Sequence, residues 1–123
     1  MGTTILAVDD SASVRKMVQF TLESKGFQVK VAEDGLEALE VLKHHIVDAI
    51  ILDINMPKMN GLEFLQIAKS EGAYATIPVI MLTTEGQEDD KDKALALGAS
   101  AYVIKPFKPS QLLTLLEEIL PGS

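Results

Sequence analysis

Short apolar runs alternate with amphipathic stretches five times along this 123-residue chain, and this alternation limits the fold more than any other feature. Continuous apolar runs such as residues 49–52 are typical of strands covered on both faces, as in a parallel sheet. Strands that alternate with helices predict right-handed crossovers and an α/β fold with helices layered on the sheet. The predicted strands are Thr4 to Val8, Phe27 to Val31, Asp48 to Leu52, Ile77 to Leu82 and Ala101 to Ile104, the second and fifth nearer an edge.

The stretches between the strands carry signals for helix ends. Asp34-Gly35-Leu36-Glu37 and Asn60-Gly61-Leu62-Glu63 predict capping boxes at the starts of the second and third helices. Gly26 marks the end of the first helix, the fourth is predicted from about Gln87, and Pro109 opens the fifth. The chain contains no linker or long-period repeat, so we predict a single domain over residues 1–123.

Composition excludes several classes of function. The chain has no cysteine, which rules out a disulfide framework, a thiol redox centre and a thiolate metal site. Its net charge of -7 argues against binding to nucleic acid or to an anionic membrane surface. No run approaches the roughly 20 apolar residues of a membrane span, and no secretion signal is recognisable. We therefore expect a cytoplasmic protein whose partner is another protein or a cation.

Polar side chains follow the predicted strands at the edge where ligand sites of open α/β sheets form. Asp9-Asp10 follows the first strand and Asp53 the third, while Thr83-Thr84 and Lys105 follow the fourth and fifth. Each has an ordinary structural explanation when taken alone, such as capping of the first helix by Asp10 or Ser11. Their occurrence at four strand ends together predicts one site with three carboxylates, a hydroxyl and an ammonium group.

Three neighbouring carboxylates repel one another unless a cation or a proton lies between them. Hard oxygen ligands favour Mg²⁺, which takes one or two carboxylates together with phosphate oxygens. Phosphoryl transfer requires positioning and charge neutralisation, and a carboxylate can act as its nucleophile. Asp53 is the candidate nucleophile, and Lys105 and the Thr83 hydroxyl are candidates for holding the phosphoryl oxygens.

Five motifs occur in order on the expected elements: Val8-Asp9-Asp10-Ser11, Leu52-Asp53-Ile54-Asn55-Met56-Pro57, Asn60-Gly61, Met81-Leu82-Thr83-Thr84 and Lys105-Pro106-Phe107. Through these motifs the chain resembles bacterial response-regulator receivers, most closely the stand-alone chemotaxis type, over essentially its whole length. The resemblance implies a flavodoxin-like (βα)5 three-layer sandwich with a parallel five-stranded sheet of order 2-1-3-4-5.

The resemblance also assigns roles to residues at the acidic positions. Asp53 matches the phosphoacceptor, and Asp9 and Asp10 match the pair that positions the metal. The main-chain carbonyl of Asn55 completes the protein ligands of Mg²⁺, for which Mn²⁺ can substitute.

Further roles follow for the fourth and fifth strands. Lys105 matches the phosphate-contacting lysine, and its bond to Pro106 is typically cis in the family. Thr83 matches the switch hydroxyl, and Tyr102 the switch aromatic that turns inward when Thr83 moves towards the phosphoryl group. A partly buried core tyrosine is the alternative for Tyr102. Glu85 and Asn55 match positions that influence the lifetime of the phosphoryl group.

These features predict a two-component response regulator. We expect it not to be an enzyme, because the only reactions that it should catalyse are its own phosphorylation and dephosphorylation. A sensor histidine kinase is the expected donor. The expected target is a protein such as a flagellar motor switch protein or a phosphorelay component. We expect the target to bind at the fourth helix, fifth strand and fifth helix, and the process to be chemotaxis or motility. We expect a monomer and leave dimerisation on phosphorylation open.

Three alternatives have sequence features against them. A haloacid-dehalogenase-type phosphatase would need a second aspartate two residues after Asp53, where this chain has Asn55. A pseudo-receiver that is never phosphorylated would not need the complete set of acidic, hydroxyl and lysine residues. A flavodoxin-like electron carrier would need a glycine- and hydroxyl-rich phosphate loop in place of Asp9-Asp10, and the chain has no tryptophan to stack on a flavin.

Overall fold

The computed structural model describes residues 2–84 and 88–120. Within them, strands and helices alternate as the sequence predicts. In chain order the elements are β1 (Thr4–Val8), α1 (Ala12–Glu23), β2 (Gln28–Ala32), α2 (Gly35–His44), β3 (Ala49–Asp53), α3 (Gly61–Ser70), β4 (Val79–Thr84), α4 (Glu88–Ala96), β5 (Ala101–Lys105) and α5 (Pro109–Ile119).

The five strands form one parallel sheet of order β2-β1-β3-β4-β5, which confirms the predicted flavodoxin-like topology. The more polar strands β2 and β5 are its two edges, as expected. The chain leaves β1 towards one edge and returns to the other side of β1 as β3, so the strand order reverses between these two strands. Crevices at such a reversal, outside the carboxyl ends of the strands, are where open α/β sheets bind ligands.

Helices cover the sheet on both faces, which explains why β1 and β3 are buried along their whole length and apolar except for Thr4 and Asp53. On one face, α1 and α5 contribute Val18, Leu22, Leu112 and Leu116 to the core. On the other face, α2, α3 and α4 contribute the buried side chains Ala38, Leu42, Phe64, Leu65 and Ala94. Within residues 2–84 and 88–120, no helix is both long and apolar enough to cross a membrane.

Strand β1 has its predicted bounds, whereas the other four strands end one or two residues later than the sequence pattern predicts. Asp53 is the last residue of β3, and β4 and β5 continue to Thr84 and Lys105. The reason is ladder pairing, since Asp53 pairs with Leu82 and Thr84 with Lys105. The β-sheet therefore holds the backbone of Asp53, Thr83 and Lys105 directly, instead of leaving these residues in the following loops.

The predicted helix starts are largely confirmed. Asn60 and Glu63 form a complete capping box, and Pro109 is the first residue of α5. Asp34 caps α2, but the Glu37 carboxylate accepts from the Glu33 N–H at 3.2 Å. The predicted box at α2 is therefore wrong in its second half. The predicted start of α4 at about Gln87 lies outside the described residues, and the described helix begins at Glu88.

Candidate functional site

Three carboxylates converge where β1 and β3 end. Asp9 follows β1 directly, Asp10 comes next, and Asp53 closes β3. One oxygen from each of the three carboxylates lies within 4.8 Å of the other two. Asp9 and Asp53 are buried, whereas Asp10 is exposed. We refer to Asp9, Asp10 and Asp53 as the acidic cluster, and the structure thus brings together the three carboxylates that the sequence predicts.

Lys105 supplies a positive charge to the acidic cluster from the end of β5. Its Nζ lies 2.9 Å from Oδ2 of Asp9 and 3.2 Å from Oδ1 of Asp53. Burial alone would lower the pKa of Lys105, but the hydrogen bond to Asp9 and the charges of Asp53 and Asp9 outweigh it and raise the pKa. The lysine is therefore held in its charged form. The peptide bond between Lys105 and Pro106 is cis, as the resemblance implied.

The Asp53 carboxyl has a raised pKa of about 6. Burial is the largest cause, followed by the charge of Asp9, and the nearby Lys105 opposes both. Near neutral pH this carboxyl is still mostly ionised, so it carries the lone pairs of a nucleophile. The ionised form is costly in this environment, however, and an additional positive charge at the cluster would stabilise it.

Every polar group of Asp9 is held by the protein. Its Oδ1 accepts from the Ser11 N–H at 2.9 Å, and its Oδ2 accepts from Lys105. Its N–H donates to the Ala32 carbonyl at 3.1 Å, and its carbonyl accepts from Nη1 of Arg15 at 2.7 Å. Our sequence reasoning missed Arg15. The available signal was that it is the single arginine of the chain and stands six residues after Asp9.

Gly61 lets α3 start directly against the end of β3. A Cβ atom at this position would collide with the carbonyl oxygen of Asp53 and lie 2.9 Å from Cα of Ile54. The Gly61 N–H donates to the Ile54 carbonyl at 2.8 Å, so the contact is also hydrogen-bonded. The sequence pattern marked Gly61 only as part of a motif and a helix start. Its close approach to the Asp53 backbone became visible only in the folded chain.

Asn55, the predicted carbonyl ligand, is the second residue of the segment 54–60 between β3 and α3. Lys58 in this segment has left-handed backbone geometry, with φ of 65°, which is uncommon for a residue with a side chain. Met59 ties the segment to α2, because its carbonyl accepts from the Gly35 N–H at 3.1 Å. The segment that carries Asn55 is therefore fixed at both ends, by Gly35 and by Gly61.

Thr83 and Tyr102 lie on the same face of the sheet. In the β4–β5 register Met81 pairs with Tyr102, and Thr83 is two residues beyond Met81, so the pleat turns all three side chains to one side. Thr83 is buried and Tyr102 half-buried. The two predicted switch residues therefore lie near each other on adjacent strands and on one face of the sheet.

The Tyr102 ring packs against the core cluster beneath α2, α3 and α4. Nζ of Lys91 in α4 lies 4.6 Å from the ring centroid and donates to the Tyr102 hydroxyl at 3.4 Å. On its other side, Tyr102 lines a cavity of about 500 Å³ together with Ile104 in β5 and Gln111 and Leu115 in α5. Tyr102 is thus partly a core residue and partly the wall of a groove. Glu85, assigned to phosphoryl lifetime, lies outside the described residues.

Comparison with known proteins gives a consistent result. The family model of the response regulator receiver domain matches residues 5–117. A chemotaxis protein CheY homolog of Campylobacter jejuni is 42% identical over 118 residues, covering 94% of this chain and 91% of the relative. The solved structure of the chemotaxis response regulator CheY4 of Vibrio cholerae superposes with a TM-score of 0.91 at 42% identity, covering 98% of this chain and 100% of that one.

A second kind of relative is longer than this chain. The phosphate regulon transcriptional regulatory protein PhoB of Klebsiella pneumoniae is 40% identical over 120 residues, which is 98% of this chain but 52% of the relative. The chain thus spans about half the length of the PhoB proteins that it matches. Both kinds of relative agree on the domain, and they differ in what that domain controls.

Proposed function

The chain belongs to the family of response regulator receiver domains, and from this membership we propose that Asp53 accepts a phosphoryl group from a sensor histidine kinase. One observation carries the proposal. The Asp53 carboxylate lies at the end of β3, with the Lys105 ammonium 3.2 Å from its Oδ1 and with carboxylate oxygens of Asp9 and Asp10 within 4.8 Å. A nucleophile, a fixed cation and further hard oxygen ligands therefore meet at one point.

The reaction follows from these groups. A carboxylate oxygen of Asp53 forms a bond to phosphorus while the bond from phosphorus to the donor's imidazole nitrogen breaks, which leaves an acyl phosphate on Asp53. Lys105 neutralises charge on the phosphoryl oxygens, since its ammonium is already held within reach of the Asp53 carboxylate. Hydrolysis of this acyl phosphate would be the only turnover, so we propose no enzymatic activity towards other substrates.

The acidic cluster fits a divalent cation by its chemistry. Three carboxylates with one ammonium between two of them retain net negative charge, and their oxygens are the ligands that Mg²⁺ prefers. Asp9, Asp10, Asp53 and the Asn55 carbonyl would hold Mg²⁺. Mn²⁺ would substitute because it takes similar oxygen ligands. When bound, the cation would supply charge neutralisation for the phosphoryl oxygens.

We propose that the new phosphoryl group is read at the face formed by α4, β5 and α5. It adds roughly two negative charges and three strong acceptor oxygens near Thr83. The Thr83 hydroxyl then moves towards these oxygens, and the Tyr102 ring enters the space that Thr83 leaves. Such a movement would break the contact between Tyr102 and Lys91 and reshape the groove beside Tyr102.

Chemotaxis or motility is the proposed process, with a protein such as a flagellar motor switch protein or a phosphorelay component as target. The support is the chemotaxis protein CheY homolog of Campylobacter jejuni, of which the chain covers 91%. The net charge of -7 favours a protein partner over nucleic acid, and we propose that the domain works in the cytoplasm as a monomer before phosphorylation.

Intact mass measured after incubation with acetyl phosphate tests the proposal, with and without Mg²⁺, on the wild type and on Asp53→Asn. We expect one labile phosphoryl adduct that requires both Mg²⁺ and Asp53. Equal labelling of Asp53→Asn would show that another residue is the acceptor, and equal labelling in the presence of a chelator would contradict the metal's role. If neither acetyl phosphate nor a panel of phosphorylated histidine kinases labels the wild type, the pseudo-receiver alternative replaces this proposal.

A further inference from the structure

Arg15 is an unusual arginine for its position. It stands in the first turn of α1, yet its side chain is only 17% exposed, because it folds back towards the end of β1. Arginine is rarely buried to this degree unless its donors are paired. Both ends of the guanidinium are indeed paired here, since Nη1 donates to the Asp9 carbonyl at 2.7 Å and Nη2 lies 3.5 Å from Oε1 of Glu33.

The peptide group that Arg15 holds is the one that joins Asp9 to Asp10. A hydrogen bond from a guanidinium to a carbonyl is charge-assisted and is stronger than a neutral one. Together with the bond from the Asp9 N–H to the Ala32 carbonyl, it fixes the backbone on both sides of the Asp9 α-carbon. The direction in which the chain enters Asp10 is thereby set.

Asp10 needs such backbone support more than Asp9 does. The Asp9 carboxylate is held by Ser11 and Lys105, whereas the exposed Asp10 side chain makes no hydrogen bond or ion pair with residues 2–84 or 88–120. Its position within the acidic cluster therefore depends on the backbone. We propose that Arg15 is a positioning residue that places Asp10 for the divalent cation, with Glu33 orienting the guanidinium.

This inference rests on the proposed function only for the identity of the cation. The decisive measurement is the affinity for Mg²⁺ in the absence of any phosphodonor. Amide chemical shifts of the isotope-labelled protein are followed while MgCl₂ is added. Arg15→Met keeps most of the apolar stem and removes the donors. Residues that support metal ligands typically affect metal affinity by about 10- to 100-fold, and for Arg15→Met we expect about a 10-fold rise in the Kd for Mg²⁺.

Lys16→Met is the matched control, because Lys16 is the next residue of α1, is exposed, and carries the same charge. We expect it to change the Kd less than about 2-fold, which would separate positioning from a loss of overall charge. Glu33→Gln should raise the Kd by about 2- to 3-fold, since it keeps an acceptor oxygen but removes the negative charge that attracts the Arg15 guanidinium. Arg15→Lys should recover part of the affinity, because an ammonium can still donate to the Asp9 carbonyl.

The labelling reaction gives a second, independent measure of Mg²⁺ affinity. In Arg15→Met, the Mg²⁺ concentration for half-maximal labelling by acetyl phosphate should rise by the same factor, while the maximal rate at saturating Mg²⁺ stays within about 3-fold of the wild type. A lower Tm with unchanged Mg²⁺ affinity would overturn the inference and leave Arg15 a purely structural residue. If Arg15→Met fails to fold, Glu33→Gln and Arg15→Lys test the inference in its place. A lower Tm with unchanged Mg²⁺ affinity in both variants would overturn it.

The binding titration keeps this inference separate from the proposed function. A wild type that binds Mg²⁺ but accepts no phosphoryl group would contradict the role of Asp53, and the effect of Arg15 on the Kd could still be measured. A wild type that binds no Mg²⁺ would overturn the inference itself.

Discussion

Lys105 and Lys69 are both half-buried, and their electrostatic surroundings are opposite. Lys105 enters the acidic cluster and contacts two carboxylates. Lys69, near the end of α3, contacts only main-chain dipoles, donating to the carbonyls of Ala75 at 3.0 Å and Ile77 at 2.8 Å. Within the described part of the chain, no carboxylate lies within 4.0 Å of the Lys69 ammonium.

Burial therefore has opposite outcomes for the pKa values of these two lysines. The pKa of Lys69 is lowered, because burial is not offset by a negative charge. The pKa of Lys105 is raised, because its carboxylate neighbours outweigh burial. We interpret the Lys69 region as a connection that closes the turn between α3 and β4. The Lys105 region holds opposite charges close together, which folding alone does not require but phosphoryl transfer does.

Replacing Lys105 should have the largest effect of the changes considered. In Lys105→Met the phosphoryl oxygens lose the fixed cation beside Asp53, and the loss of one such preorganised donor typically slows catalysis by 10²- to 10³-fold. We expect labelling by acetyl phosphate at saturating Mg²⁺ to slow by about 100-fold, measured by intact mass over time. Lys69→Met, which removes the same charge 36 positions earlier, should label within about 2-fold of the wild type. Equal slowing in both variants would remove the distinction between the two regions.

Ionisation of Asp53 is unfavourable in the folded protein, and this should make the free energy of unfolding depend on pH. Because the folded pKa of Asp53 is about 6 and its ordinary value is near 3.8, the folded protein binds a proton more tightly than the unfolded chain does. Its free energy of unfolding therefore falls as the pH rises from about 4 to about 6, and the deficit remains above that range. Asp53→Asn lacks this ionisation and should be more stable near neutral pH by roughly 2 to 3 kcal/mol.

Urea unfolding of the wild type and of Asp53→Asn, at several pH values in the presence of a chelator, measures this difference. The two proteins should converge as the pH falls through 4 and below 3.8, because Asp53 then becomes protonated in the unfolded chain as well as in the folded protein. Addition of Mg²⁺ near neutral pH should stabilise the wild type more than the variant, because the cation compensates a charge that only the wild type has. A constant difference from pH 4 to 8 would show that ionisation of Asp53 is not its cause.

The sequence predicted the acidic cluster better than it predicted what supports that cluster. Strand periodicity and the residues at strand ends were sufficient for Asp9, Asp10, Asp53 and Lys105, because parallel strands bring their carboxyl ends to one edge. The exact strand ends were not predictable in this way. They depend on pairing between strands, as between Thr84 and Lys105, which a one-dimensional pattern does not contain.

Supporting contacts were missed for a related reason. Arg15 reaches back to a carbonyl on another element, and Gly61 matters because a helix meets a strand end at van der Waals distance. Lys69 has the sequence position of an ordinary polar helix residue, while its acceptors lie six and eight residues further on. Such contacts between side chains and distant main-chain groups arise only when the elements have packed.

The smallest effect should follow replacement of Lys69, and its size reflects two opposing terms. In Lys69→Met the carbonyls of Ala75 and Ile77 lose a charged donor. Both residues are only half-buried, so water can restore part of the lost hydrogen bonding. The variant also no longer buries an ammonium group, which the lowered pKa of Lys69 identifies as unfavourable. The methionine keeps the apolar stem that lies against Gly98. We expect a net loss of about 1 kcal/mol in urea unfolding, and a loss of about 3 kcal/mol or more would mean that main-chain dipoles stabilise the Lys69 ammonium well beyond the cost of burying it.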